Sequence, residues 1–431
     1  MCAPTAWTDR PRTDPSGKGT CVPGSPGLTE AETRVCAAIE RRSADLLDDL
    51  RRHVAIPTGH NHTPGLDETR EIFTARLRRL GASVELVPGD APPAWLASGG
   101  SDGAIPPTAV CARTSGRESL SPVLIAGHLD TVHDPAGAFR ELLIASDGKT
   151  AVGPGCVDMK GGLVIAVAAL EALEEAGIDA SWTFLLNSDE ETGTYCSERA
   201  IRDVSKRHAF GIALEPALPG GELAIERGGS GQFYVECRGR SAHVGREFEK
   251  GVSAVTALAR ALVAIGAMPD LERGKIVNVG PIEGGAATNA VPDRARAWGN
   301  VRYRTPEVAA ELRAELEALA TGADAMPSVR VDMSFNRPAK PMMPATERLG
   351  LAARSAAEAL GQRLPFASTG GVCDGNVMQD AGLPTIDTLG VRGGKLHTTE
   401  EWIELASLVE RCQLLAVLIA RLSSGAIENE G

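Results

Sequence analysis

His128 stands in LIAGHLDTV, an apolar run that ends in a small residue and then His-x-Asp. Strand ends of an α/β sheet face the ligand crevice. Asp130, two residues on, projects to the same side and can orient the imidazole. Asp158 lies in the glycine-rich GPGCVDMKGG just before an Ala/Leu/Val run, where a lone carboxylate reads first as a helix N-cap. Ser188, Asp189, Glu190 and Glu191 follow the strand-like SWTFLLN. Adjacent acids repel and resist ionisation unless a cation is near, although a solvated acidic turn has the same composition. Glu215 ends another apolar run in ALEP, and His397 sits in GGKLHTTEEW before the last helical stretch. Five N/O donors thus fall at the ends of successive strands: His128, Asp158, Glu191, Glu215 and His397. Together they carry −3, and two Zn²⁺ with a bridging hydroxide carry +3. The match favours a two-metal site over an uncompensated acid cluster. N/O donors suit Zn²⁺, with Co²⁺ or Mn²⁺ possible, and Glu190 is left over as general base.

These donors need strands and helices in alternation. Helical periodicity runs from Leu28 to His53 and from Asp67 to Leu80, with a stop at Gly81. β-type runs follow at Ser83–Val87, Thr108–Ala112 and Val123–Ala126, with a Pro/Gly-rich surface loop at Pro88–Pro107. A helix over Gly161–Ala176, a strand over Ser181–Leu186, a helix near Tyr195–Arg202 and a strand over Phe210–Leu214 continue the pattern. It returns as a helix at Thr346–Leu360, a strand at Thr385–Leu389 and a long helix from Glu400 to Leu422. This is an α/β fold, a mainly parallel sheet with helices on both faces. Between the halves, Gln232–Ser328 and beyond read β-α-β-β-α-β, an inserted α+β, ferredoxin-like domain. A glycine-rich hinge, ERGGSG, precedes it, and the proline-rich 336–344 follows. The expected division is a disordered arm at 1–27, a catalytic domain from 28–228 and 339–431, and the insert at 229–338.

Composition sets the outer bounds. The 431 residues fit two or three domains at about 150 each. A net charge of −12 with no basic run excludes nucleic acid and anionic membrane surfaces as partners. No apolar run is long enough for a bilayer, and no secretory h-region is visible. Nine scattered cysteines without C-x-x-C suit a reducing cytoplasm and argue against a cysteine-ligated zinc. Cys373 as a thiol nucleophile lacks a His/Asn pattern, and the neighbouring Asp374 has no clear role. His60 and His62 read as a solvated loop, and Arg76, Arg78 and Arg79 as a solvated helix face.

GHLDTV, GPGCVDMKGG, NSDEETGT, ALEP and KLHTTEE, in this order, resemble the motif set of the acetylornithine deacetylase / succinyl-diaminopimelate desuccinylase / aminoacylase / carboxypeptidase G family of zinc metallopeptidases. The resemblance covers about residues 30–425. It implies a zinc-exopeptidase-like fold, and Asp158 as the bridge between two metals. His128 and Glu215 would complete one metal, Glu191 and His397 the other. Asp130 would support His128, Glu190 would activate the water, and the peptide after Asp158 would be cis. In GRSAHVG, His243 would be the lid histidine that stabilises the oxyanion, from its own chain or across a homodimer formed by the lid. Asn289 in ATNAVPD and Arg302 in GNVRYR would contact the substrate carboxylate, with Arg304 a weaker candidate. Gly370 and Gly371 would approach the substrate. The implied activity is hydrolysis of an amide or peptide bond beside a free carboxylate, on an N-acyl amino acid or glutamyl-type small molecule, and it leans to the carboxypeptidase branch. The alternatives are a biosynthetic deacetylase or desuccinylase and an inactive binding protein on the same fold.

Overall fold

Apolar alternation and its interruptions decide where the chain turns. The computed structural model describes residues 10–11, 27–59, 62–96, 105–116, 122–322 and 324–425. Three helices come first: α1 (Glu30–Arg41), α2 (Ser43–Ala55) and α3 (Thr63–Arg79). Thr29 and Glu32 form a capping box at the start of α1. The single helix expected over Leu28–His53 is two, because the chain turns at Arg42, whose N–H reaches the Ile39 carbonyl at 3.0 Å.

β1 (Ser83–Val87) and β2 (Thr108–Arg113) pair antiparallel, and β3 (Val123–His128), β4 (Trp182–Asn187) and β5 (Phe210–Ala213) run parallel. The connecting helices are α4 (Gly161–Glu175) and α5 (Glu198–Ser205). Val123 and Ile125 of β3 join the main core beside α4, while Leu124 and Ala126 pack with Ile201 and Val204 on the opposite face. Burial on both faces is why these strands read as unbroken apolar runs. Arg76 is not solvated as expected: it meets Asp49 at 2.7 Å and Glu171 at 2.9 Å, and so ties α3 to α2 and α4.

The insertion follows as β6 (Gly229–Arg238), α6 (Ala254–Gly266), β7 (Ile276–Gly284), β8 (Arg294–Tyr303), α7 (Pro306–Glu317) and β9 (Ser328–Arg337). Its four strands form an antiparallel sheet in the order β7-β8-β6-β9. Phe233, Val235, Ala297 and Tyr303 give it a hydrophobic cluster of its own with Leu258 and Leu312. The chain enters and leaves side by side: Arg227 and Lys340 exchange backbone hydrogen bonds of 2.9 Å. Both cations close on buried Asp387, at 2.7 and 3.3 Å.

α8 (Pro344–Ala359), α9 (Asp374–Asp380), β10 (Thr385–Ile386) and α10 (Ala406–Ser423) return to the first unit. β10 lies parallel to β5, so the central sheet runs β10-β5-β3-β4-β2-β1. The last helix begins at Ala406 rather than Glu400, because Trp402–Glu404 pairs as a strand with Thr150–Val152. Of the arm at 1–27, Arg10–Pro11 pairs with Ala367 and Ser368, and residues 1–9 and 12–26 lie outside the described residues. Among the described residues, no helix is long and apolar enough to cross a membrane.

Candidate metal centre

The segments just past β4 and β5, the turn carrying Asp158 and the loop before α10 meet at one cleft of about 590 Å³, and His128 at the end of β3 reaches it through Asp158. Gly162 at the start of α4 permits this convergence. A side chain there would meet the Leu214 carbonyl at 2.5 Å, so glycine lets the turn carrying Asp158 lie against the strand end carrying Glu215.

His128 is buried, and its Nδ1 lies 2.9 Å from the Asp130 backbone oxygen. Nδ1 therefore donates, and in the neutral ring Nε2 presents a lone pair. That lone pair faces Asp158 Oδ1 at 3.2 Å. His397 Nε2 likewise lies 3.4 Å from both Asp158 Oδ2 and Glu191 Oε2. Acceptors set against acceptors require a proton or a cation between them. Glu191 Oε1 is also buried without a hydrogen-bond partner. The donors form two groups, His128–Asp158–Glu215 and Asp158–Glu191–His397, each with ligand atoms within 4.8 Å of one another and with Asp158 common to both. Left without a cation, the carboxyls resist ionisation. Burial first, and then the charge of Asp158, pushes Glu191 up to about 10 and Glu215 well above the carboxylate range. Donor chemistry, geometry and orphaned oxygen all fit a metal pair.

Asp130 does more than orient His128. Its carboxylate accepts the Glu190 and Glu191 N–H groups at 3.3 and 2.9 Å, fixing the acidic turn. The Asp158–Met159 peptide is cis. Glu190 is buried and pairs with Arg337 Nη1 at 2.7 Å, while Arg337 Nη2 donates to the Glu190 carbonyl at 2.6 Å. The sequence reading missed Arg337. It ends β9 in SFNRP, and nothing in that pattern separates it from a surface strand charge.

Arg302 lines the cleft, as does Gly371; Gly370 does not. Arg304 is exposed just past β8. His243 and Asn289 are exposed, and neither lines the cleft of its own chain. They sit together, since Val244 N–H donates to the Asn289 carbonyl at 3.0 Å. His62 precedes α3 and does not line the cleft, and His60 lies outside the described residues. Cys373 is buried, and burial pushes its thiol well above the usual range. Asp374 accepts from Asn187 at 2.8 Å and Thr194 at 3.0 Å, and burial, followed by the charge of Glu190, raises it to about 7.

A divided donor cluster with a further buried carboxylate beside it, at the mouth of an α/β sheet and walled by an inserted domain, fits a metallohydrolase. Residues 124–421 match Peptidase family M20/M25/M40, and the chain belongs to that family. It is 26% identical over 395 residues to carboxypeptidase G2 of Pseudomonas sp. (strain RS-16), covering 90% of this chain and 92% of that one. It is 32% identical over 317 residues to succinyl-diaminopimelate desuccinylase of Methylobacterium radiotolerans, covering 66% and 77%. Its fold is shared with the YXEP protein of Bacillus subtilis, a dinuclear metal-binding peptidase of the M20 family, at a TM-score of 0.60 and 16% identity over 89% of this chain and 99% of that one. The protein is a metal-dependent hydrolase of amide bonds.

Proposed function

We propose that the chain cleaves an amide or peptide bond next to a free carboxylate, with His128, Asp158, Glu191, Glu215 and His397 holding two Zn²⁺, or Co²⁺ or Mn²⁺ in their place, and Asp158 serving both ions. One observation carries the substrate half. Ser230 of β6 pairs with Arg302 of β8 on one side and Arg337 of β9 on the other, so two guanidinium groups share a rung with a small residue between them, and all three line the cleft. Arg302 donates to Asn300 at 3.2 Å, and burial, followed by the like charge of Arg337, disfavours its charged form. A carboxylate arriving between the two relieves that repulsion and offers a planar partner to the guanidinium fork.

Bound metals would supply carbonyl polarisation and a water acidic enough to attack at neutral pH. Glu190 takes the proton of the attacking water and hands it to the departing amine. Arg337 holds that carboxylate in place from the inserted domain, and Asp130 fixes the turn beneath it. The inserted domain acts as a lid and pairs two chains. β7 is a sheet edge with Ile282 58% exposed, the kind of edge that folds cover or pair. His243 and Asn289, exposed and outside the lining of their own cleft, then serve the partner's, where His243 stabilises the oxyanion. The carboxypeptidase branch is preferred because that relative matches over most of both chains. A cytoplasmic location, with seven described cysteines free, belongs to the same reading.

Arg302→Ala is the test. On an N-acyl amino acid the loss of a desolvated carboxylate contact is worth about 2–4 kcal/mol. That is a fall in kcat/KM of about 30- to 1000-fold. On the same substrate with its carboxylate capped as an amide, the substitution should cost little, because the partner is already gone. Additive losses in this cycle would remove the carboxylate-anchored reading.

A further inference from the structure

Glu401 is 1% exposed and sits in the loop between His397 and α10. A buried carboxylate is costly unless its acceptor positions are filled. Here all are. Oε1 accepts the N–H groups of Val157 and Asp158 at 2.9 and 3.0 Å. Oε2 accepts the Gly155 N–H at 3.0 Å and lies 2.6 Å from His133 Nε2. Since an ionised carboxylate only accepts, His133 donates from Nε2. Three of the four donors are the backbone of the turn that ends in Asp158, entered through Gly155 in the left-handed region at φ +67°. The main chain of Glu401 is bound to the same turn, its carbonyl accepting the Gly153 N–H at 3.1 Å. One residue therefore pins together the two segments that present Asp158 and His397.

We propose that Glu401 is a positioning residue for the cation site, holding the 155–158 turn so that Asp158 faces His128 and His397 at once, with His133 locking the Glu401 carboxylate. The inference rests on reading the donor cluster as a cation site. It assigns function to two side chains that touch neither substrate nor metal. A carboxylate is the one side chain whose two oxygens can receive four convergent donors. Glutamine at 401 keeps the shape but turns an NH₂ group toward two of them.

The experiment uses the full chain loaded with Co²⁺, whose visible absorption reports ligand geometry. Glu401→Gln should weaken Co²⁺ binding by about 10- to 100-fold, as loss of a group supporting ligands does. It should also alter the absorption band at saturation and lower kcat with little change in KM. A role confined to stability would lower the melting temperature and leave the saturated spectrum untouched; that result, or wild-type affinity, overturns the proposal. Should Glu401→Gln fail to fold, His133→Leu removes a single bond to the same carboxylate. A few-fold weaker dissociation constant with a shifted band supports the assignment, and wild-type values overturn it. If the wild-type chain itself takes up no Co²⁺, the cation-site reading falls and takes the proposal with it. Normal uptake by both proteins sinks only the role of Glu401.

Discussion

The two walls of the cleft are built differently. On the central-sheet side three donor segments are held from within that side: His128 by the Asp130 carbonyl, the acidic turn by the Asp130 carboxylate, and the Asp158 backbone by Glu401. On the inserted side Arg302 and Arg337 line the cleft, but His243 and Asn289 stand exposed outside it. Charge handling can be completed early and rigidly, because a congested acid cluster tolerates little play. Enclosing a substrate requires parts that arrive with it, from a moving domain or a second chain.

The largest effect should come from the central-sheet wall. Glu190→Gln should retain its metal yet lower kcat by about 100- to 10,000-fold, the range for a lost general base. Metal analysis beside turnover checks this. Loss of an ion in the variant would mean that Glu190 is a ligand and that its role has been exchanged with that of Glu191.

The other wall should depend on a partner. His243→Ala should cost about 100- to 1000-fold in kcat, as for a lost oxyanion donor. Mixing it with Glu190→Gln separates the two routes. If His243 serves the partner's site, a mixed dimer pairs an intact Glu190 in one chain with an intact His243 from the other. Random exchange in a twofold dimer then restores about a quarter of wild-type turnover. No recovery after verified subunit exchange, or a monomer at micromolar concentration, would place His243 in its own cleft or outside the reaction.

The same contrast explains what could be read from the sequence. His128, Glu190, Glu191 and Glu215 were legible because strand ends of an α/β sheet converge by topology. Asp158 and His397 were expected at strand ends too, but they sit in a turn before α4 and in a loop, and their motifs, not strand topology, pointed to them. Arg337 and Glu401 were not. Arg337 acts through an ion pair between two domains, and strand alternation carries no record of which surface its end will meet. Glu401 stood inside KLHTTEE yet read as the first turn of the last helix, because the pairing of Trp402–Glu404 with Thr150–Val152 is a long-range contact with no local signal. Arg76 read as solvated for the same reason, its partners Asp49 and Glu171 being distant in sequence.

The smallest expected effect asks which domain acid attacks first. His53 of α2 is 1% exposed, stacked on Phe73 with ring centroids 4.2 Å apart, and neither ring nitrogen has a partner. Burial, then the charges of Lys160, Arg76 and Arg52, lowers its pKa to about 3. In the unfolded chain it titrates near 6.5. Below that pH the unfolded state binds a proton that the folded state refuses, so stability is present above 6.5 and drains away as pH falls toward 3. The slope is about 1.4 kcal/mol per pH unit, or about 2 kcal/mol by pH 5. In the inserted domain the surface acid Glu311, hydrogen-bonded to Arg273 and Lys275, is held at about 2 and stays ionised across this window. His53→Leu keeps the apolar contact with Phe73 and removes the titration. With chelator present, so that metal release enters neither protein, melting temperature is followed from pH 7 to pH 5. The wild type should lose a few degrees more than the variant, since about 2 kcal/mol is worth that in domains of this size. Parallel curves would mean that His53 takes its proton without unfolding, and that the acid sensitivity of the catalytic domain lies in other groups, such as His208, whose pKa burial also lowers, or the donor cluster.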